Sequence, residues 1–466
     1  MKQSADRPGF GQGMTATEKR AAFSLAGIFS TRMLGLFMIL PVFALYAEHL
    51  PGATPMLIGL AIGIYGLTQA ILQIPLGMLS DRIGRKPVIY GGLVMFAFGS
   101  AVAAMSDSIT GIIIGRALQG AGAIAAVVMA LAADLTREEH RLKAMAIMGM
   151  SMGVSFTLSL IIGPVFNSWV GIHGIFWITA GMALLAMVLL AVAVPTPVVS
   201  RHHRDTQPVP AQFKQVLADG ELLRLNFGVF ALHLILTASF VAVPLVLVQK
   251  IGLPAVDHWM VYLGVMVLAF IVMIPFIIIA EKKRRMKQIF SGAIVMLMLA
   301  LWEMAYMEST LTGMVIGLFF FFLAFNLLEA SLPSLVSKIA PPDKKGTAMG
   351  VYSSSQFMGA FVGGVSGGWL YQHVGSESVF LFGSIAAAIW VLLAVTMKNP
   401  RYLSSHMLNV GDMTEAEARH LVTQLTQIKG VAEAVVIPED GVAYLKVDKH
   451  ATDFEALNRF SVSEQS

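Results

Sequence analysis

Three ionisable residues, Arg116, His233 and Glu329, stand inside long apolar runs of the 466-residue chain. A charge deep in a bilayer costs at least about 2.5–3.5 kcal/mol unless it faces protein or water, so residues of this kind carry function by default. A proton-coupled carrier needs a titratable group that takes a proton from one side and releases it to the other, and a carboxyl group removed from water is suited to this. Glu329, three residues after Asn326, and His233 are therefore coupling candidates, although a lone His within an apolar run also serves as a packed, hydrogen-bonded residue. Arg116 is functional by this default, or else a structural tie to carbonyls of the first apolar segment. Tyr65, Gln69 and Gln73 recur every four residues, so they share one helix face and either line a cavity or hydrogen-bond a neighbour. There is no cysteine, which excludes thiol catalysis, disulfides and Cys-ligated zinc. No catalytic, metal or cofactor constellation emerges, and the chain is not expected to be an enzyme.

The elements that position these residues follow from composition. Hydrophobic residues make up 56% of the chain and charged residues 13%, against about 25% charged in soluble proteins. Apolar runs with no polar face exclude a soluble globular enzyme and a disordered chain alike. A spanning helix takes roughly 20 apolar residues. Twelve such runs lie near 21–46, 56–79, 87–106, 109–135, 142–166, 172–194, 222–249, 258–280, 288–307, 311–339, 346–371 and 377–397. The start, Met1 to Thr17, is polar and leads into a segment too long for a signal-peptide core, so it predicts an uncleaved first span. The expected segments are 1–20 as a polar N-terminus, 21–194 and 221–398 as six-helix bundles, 195–220 as a linker carrying Arg201, His202, His203 and Arg204, and 399–466 as a soluble domain.

Basic residues cluster after spans 2, 4, 8 and 10, whereas the alternate loops offer only Lys250. Because Lys and Arg resist translocation, both termini are expected in the cytoplasm, and the net charge of +4 reflects orientation rather than nucleic-acid binding. An internal repeat is visible as well. Ile74-Pro75, Asp81, Arg85, Gly163 and Trp169 match Ile274-Pro275, Glu281, Arg285, Gly363 and Trp369 at an offset of 200, and Ala144-Met145 matches Ala348-Met349 at a slightly larger one. Such repeats point to two related bundles with a cavity between them.

The segment Gly77-Met78-Leu79-Ser80-Asp81-Arg82-Ile83-Gly84-Arg85-Lys86 resembles the signature loop of the major facilitator superfamily, G-x-L-x-D-R-x-G-R-K, at every defining position. The resemblance implies a conformational gate built from Gly77, Asp81, Arg82, Gly84, Arg85 and Lys86. In it Asp81 sits near a helix start and pairs with Arg85, and the cluster staples spans 2, 3 and 4 by reaching an acid at the end of span 4, here Asp134. Ile112 to Ala123, with Arg116, Gln119, Gly120 and Gly122, resembles the second motif of the family, often linked to proton coupling. Leu34-Gly35 and Pro41-Val42 resemble a motif of twelve-span drug:proton antiporters, with Ala44 where a Pro is expected. Arg32, just before it, is placed to snorkel to the helix end. Gly149, Gly153, Gly163 and Pro164 partly match the antiporter motif of span 5, with Ser159 and Asn167-Ser168 as departures. Small residues there, like Gly120 in span 4, favour close helix packing.

After Lys398 the pattern changes. A strand at 407–410, a helix at 414–428 capped by Thr414 and Glu417, strands at 431–437 and 442–447, and a helix at 453–460 predict a ferredoxin-like β-α-β-β-α domain. It resembles the heavy-metal-associated fold, but its first loop reads Gly411-Asp412-Met413-Thr414, so thiolate copper binding is excluded. A transporter with this tail is similar to the YajR group of exporters.

The expected architecture is thus an all-α membrane protein of twelve transmembrane helices in two six-helix bundles, the major facilitator fold, plus a small C-terminal α+β ferredoxin-like domain. The expected activity is proton-driven efflux of small amphipathic compounds by alternating access in a bacterial-type inner membrane. Its partners would be a small-molecule substrate, protons and the lipid bilayer, with no nucleic acid and no cofactor. The alternatives are a substrate:proton symporter and a membrane sensor signalling through the tail. Residues 401–466 hold 6 basic and 10 acidic groups, so the tail is acidic against a basic membrane part. That difference suggests electrostatic docking or self-association through the tail.

Overall fold

The computed structural model describes residues 13–196, 210–341, 344–399, 403–411, 413–438, 441–448 and 451–461. The Arg201 to Arg204 run and the start of the chain up to residue 12 lie outside the described residues.

Several helices begin where a side chain accepts from the first orphaned amides. Thr15 and Glu18 form a reciprocal capping box before Ala16–Phe37, which with Leu40–Ala47 makes span 1. Thr54 caps Pro55–Ile83, span 2, and Ser108 caps Ile109–Ala121, which with Ala125–Asp134 makes span 4. Span 3 is Arg85–Ala104. Spans 5 and 6 belong to one helical stretch, Glu138–Val192, folded at Gly171, where φ is 66° and ψ −179°. Those 55 residues would extend about 80 Å if straight, far more than one bilayer crossing needs. In the second half the spans are Gly220–Gln249, His258–Lys282, Met286–Met307, Leu311–Ile339, Lys345–His373 and Ser376–Val395, spans 7 to 12. Among the described residues, ten helical stretches are long and apolar enough, by length and composition, to cross a membrane. Counting the two arms of the folded one separately and adding the Gly- and Ser-rich span 11 gives twelve passes.

The 195–220 segment is not simply a loop: Pro210–Gln212 forms a turn of 3-10 helix and Phe213–Ala218 a short α-helix, and span 7 starts at Gly220. Thr347 at the start of span 11 donates to Gln212, 2.9 Å away, so this piece is fastened to the second half.

The repeat reappears as matching packing. A Cβ on Gly163 of span 5 would press on the Met38 carbonyl of span 1, and one on Gly363 of span 11 would overlap the Leu234 carbonyl of span 7. The halves join along spans 2 and 11. Gly59 and Gly364 lie back to back, each without room for a Cβ against the other's carbonyl. Further along the seam Gln73 donates to Ser354 (3.1 Å), and Ser354 to the Ala70 carbonyl (3.2 Å). Glu48, Gln249 and Tyr371 extend it at the side opposite the termini.

The tail has strands Ser404–Asn409, Val431–Ile437 and Val442–Val447, with helices Glu415–Gln427 and Phe454–Asn458. The third strand lies central and antiparallel to both others, with Ser404 opposite Val447 and Ile437 opposite Val442. Leu408, Leu425, Leu445 and Leu457 fill its own small core.

Candidate functional site

Four of the polar clusters among the described residues hold the sequence-marked side chains or the tail, and the first is the signature loop. Span 2 ends at Ile83, Gly84 turns the chain with φ 94°, and span 3 starts at Arg85. That φ lies where side chains with a Cβ are strained, so the turn requires glycine. Arg85 is buried and binds three groups: Asp81, Ser80 Oγ at 2.6 Å, and Asp134 Oδ2 at 3.1 Å. The Asp134 side chain is wholly enclosed. Asp81 lies in the last turn of span 2, not near a helix start as expected, and there the helix dipole opposes an acid. The ion pair across the Gly84 turn therefore holds it, not the dipole. Lys86 donates to the Val194 carbonyl (2.7 Å) and Thr196 (3.0 Å), which ties span 6 into a staple expected to join only spans 2, 3 and 4. Arg82 points outward and is exposed. Gly77 has ordinary contact with Ala126. Beside this cluster, Glu18 holds Arg137 through both carboxylate oxygens, at 3.0 and 3.2 Å. The pair escaped the sequence reading, although Thr15-x-x-Glu18 is a visible capping pattern.

The second cluster lies deep in the first half. Arg116 donates to the carbonyls of Ala61 (3.3 Å) and Ile62 (3.4 Å) and to Gln119 (3.0 Å), and Gln119 donates to Ser100 (2.7 Å). The tie is thus to span 2, not to span 1. Gly120 lets span 4 approach the Tyr65 carbonyl, again on span 2. Arg32 is 1% exposed and does not snorkel. Span 1 begins at Ala16, so Arg32 stands about 24 Å along the helix, too far in to reach its end. It donates to Gln69 (2.5 Å) and lies 5.8 Å from the Tyr65 ring centre and 5.6 Å from that of Phe96. Arg116 approaches the Tyr65 ring at 5.1 Å. Tyr65, Gln69 and Gln73 are each at most 1% exposed, the last bonded across the seam. In span 5, Gly149 and Gly153 face open space, so of the motif glycines there only Gly163 serves close packing. The neighbouring Pro164 is buried, and Ser159 donates to the Leu34 carbonyl of span 1 (3.2 Å).

The third cluster is in the second half. His233 of span 7 and Glu329 of span 10, separate in sequence, face each other with Nε2 3.7 Å from Oε2. Gln356 of span 11 lies between them, its amide 2.8 Å from His233 Nε2 and 3.5 Å from Glu329 Oε1. His233 Nδ1 is 3.1 Å from the Val229 carbonyl. A carbonyl only accepts, so Nδ1 carries the hydrogen and Nε2 of the neutral ring accepts from Gln356. A proton added at Nε2 turns acceptor into donor, and Glu329 is the group placed to receive it. Asn326 is buried one turn before Glu329. Gln356 carried no signal: it is one amide in a Ser-rich run.

The fourth cluster joins tail and membrane part. Lys446, buried in the central tail strand, donates to the carbonyls of Lys338 (2.8 Å) and Ile339 (3.2 Å) at the end of span 10. Arg284 lies 3.7 Å from Asp448.

A sequence profile of the Major Facilitator Superfamily matches residues 25–364 and 305–406. The chain is 48% identical over 455 residues, 97% of its length and 98% of the relative's, to the inner membrane transport protein YajR of Escherichia coli K12. It is 25% identical over 366 residues, 76% of this chain and 88% of the relative, to the multidrug resistance protein MdtH of Proteus mirabilis. The crystal structure of the human organic anion transporter MFSD10 overlays 82% of the chain and 100% of its own with a TM-score of 0.63 at 18% identity, a likeness of fold.

Proposed function

The chain belongs to the major facilitator superfamily and is a multi-pass membrane transporter rather than an enzyme, and we propose that it expels small amphipathic compounds in exchange for protons. The observation that carries this reading is the His233–Gln356–Glu329 group, in which one proton changes which residue donates and which accepts. Antiport needs such a group to be occupied by a proton when substrate is absent and to yield it when the halves reorient. The multidrug relative supports the compound class. The basic loops on the side of the termini support placing both termini in the cytoplasm of a bacterial-type inner membrane.

Proteoliposomes carrying a pH gradient test the reading. Wild-type protein should move protons against the direction of substrate flux, and Glu329→Gln should abolish the pH dependence of transport while substrate binding persists. Proton and substrate moving in the same direction would overturn efflux, and an unchanged pH profile in Glu329→Gln would remove this residue from the coupling scheme.

A further inference from the structure

Of the buried guanidinium groups in the first half, those of Arg32 and Arg116 have no carboxylate within 4.0 Å among the described residues. They are treated differently by their surroundings. Each nitrogen of Arg116 has a protein acceptor, two of them backbone carbonyls. Arg32, only 1% exposed, bonds Gln69 through one nitrogen and has Nε and Nη1 without a partner. The Gln69 amide nitrogen is likewise buried and unpartnered, and the Tyr65 hydroxyl, beside Arg32, makes no hydrogen bond within 3.5 Å. Because Arg32 only donates, its bond fixes the Gln69 carbonyl toward it and leaves the amide as a further donor.

Such a set of donors around a cation selects an anion: charge-assisted bonds from Arg, Tyr and amide groups are strongest to a carboxylate, and a cationic compound would meet like charge. The walls select an organic body. Tyr65 packs edge-on to Phe96 at 6.5 Å and lies 6.4 Å from Phe357 of span 11. Phe357 belongs to the second half, so the group sits at the seam, where reorientation of the halves would cover it or uncover it. We propose that Arg32, Tyr65 and Gln69 form the binding site for the carboxylate of an amphipathic organic anion. This deepens the transport reading, on which it rests, by naming the class of compound carried.

Binding to the purified full-length protein, measured without a gradient, tests it. The probes are benzoate, salicylate, indole-3-acetate and octanoate, each paired with its neutral amide, and inorganic phosphate alone. At least one acid should bind about tenfold or more tightly than its amide. Arg32→Gln should erase that preference, and Tyr65→Phe should weaken it about threefold or more while keeping the ring that packs between the arginines. Should Arg32→Gln fail to fold, Tyr65→Phe and Gln69→Leu carry the test. Equal binding of every acid and its amide, phosphate binding as tightly as the best acid, or variants that retain the wild-type preference would overturn the assignment. Glu329→Gln should keep the preference for the acid. Transport by the wild-type protein that ignores the proton gradient, with acid binding intact, would therefore count against the proton scheme alone, and coupled transport of neutral compounds without acid preference against this site alone.

Discussion

The loop after span 2 and the loop after span 8 occupy equivalent places in the two halves, yet they are held by different means. In the first, Arg85 is buried between Asp81 and the enclosed Asp134, and the cluster closes on itself. In the second, Arg285 is exposed, and the offset that relates Ala144 to Ala348 places Lys338 where the first half has Asp134. A cation there cannot complete the same staple. The neighbouring Arg284 instead faces Asp448 of the tail, and Lys446 of the tail reaches the last carbonyls of span 10. The end of a helix is partially negative, so an ammonium group suits it. One half thus carries its own clamp, while the other borrows one from an added domain.

The interiors diverge in the same way. The first half buries two cations around Tyr65, and the second buries a His, a Glu and a Gln. The halves share a packing plan at Gly163 and Gly363, and the chemistry of each lies in single positions inside it.

The comparison is broken most severely by Arg85→Ala, which takes a buried ion-pair partner from Asp134 and Asp81 at a cost of about 3–5 kcal/mol. Thermal unfolding and transport should both fall sharply, whereas Arg285→Ala should behave as wild type in both. Lys446→Ala removes two charge-assisted bonds, worth about 2 kcal/mol together, and limited proteolysis should then release the tail faster. Arg284→Ala, at a half-exposed pair, should have a smaller effect that fades as salt is added. Equal effects of salt on both variants would show that the tail docks by long-range charge rather than by the Lys446 cap. Asp81→Asn keeps the shape of the staple and weakens one bond to Arg85, at about 1–2 kcal/mol. Its transport should drop while membrane insertion is unchanged.

The smallest effect belongs to the tail helix. Thr414 donates to the exposed Glu417 and accepts from its amide, and these bonds hold the Glu417 carboxyl below its ordinary pKa. A depressed pKa contributes stability that is complete above the unfolded value and fades as pH falls through the folded one. Thr414→Ala should speed hydrogen exchange across Glu415–Gln427 by about fivefold at neutral pH. The gap from wild type should narrow in acid.

Much of this is legible in the sequence. The signature-loop residues stand out because an Asp, two glycines and three basic residues stand together in the family's fixed pattern. His233 and Glu329 stood out because charge inside an apolar run is expensive. Arg32 misled, since its depth depends on where span 1 begins, and the Thr15–Glu18 box starts that helix at Ala16 rather than near 21. Gln356, Ser354 and Ser80 stayed hidden because single polar residues on spans carry no periodicity that marks a partner.

What the sequence by itself determined was the number and order of the membrane passes, the internal repeat, the signature loop and the tail's β-α-β-β-α order. These depend on hydropathy, capping and turn chemistry, all of which are local in the chain. Only the tertiary structure decided that Arg116 ties to span 2, that Arg32 is enclosed beside Tyr65, that His233 meets Glu329, and that Lys446 caps span 10. A helix apolar on every side gives no sign of which face meets which neighbour. That choice falls to the close approach of small residues such as Gly59 and Gly364, whose complementarity exists only once both helices are in place.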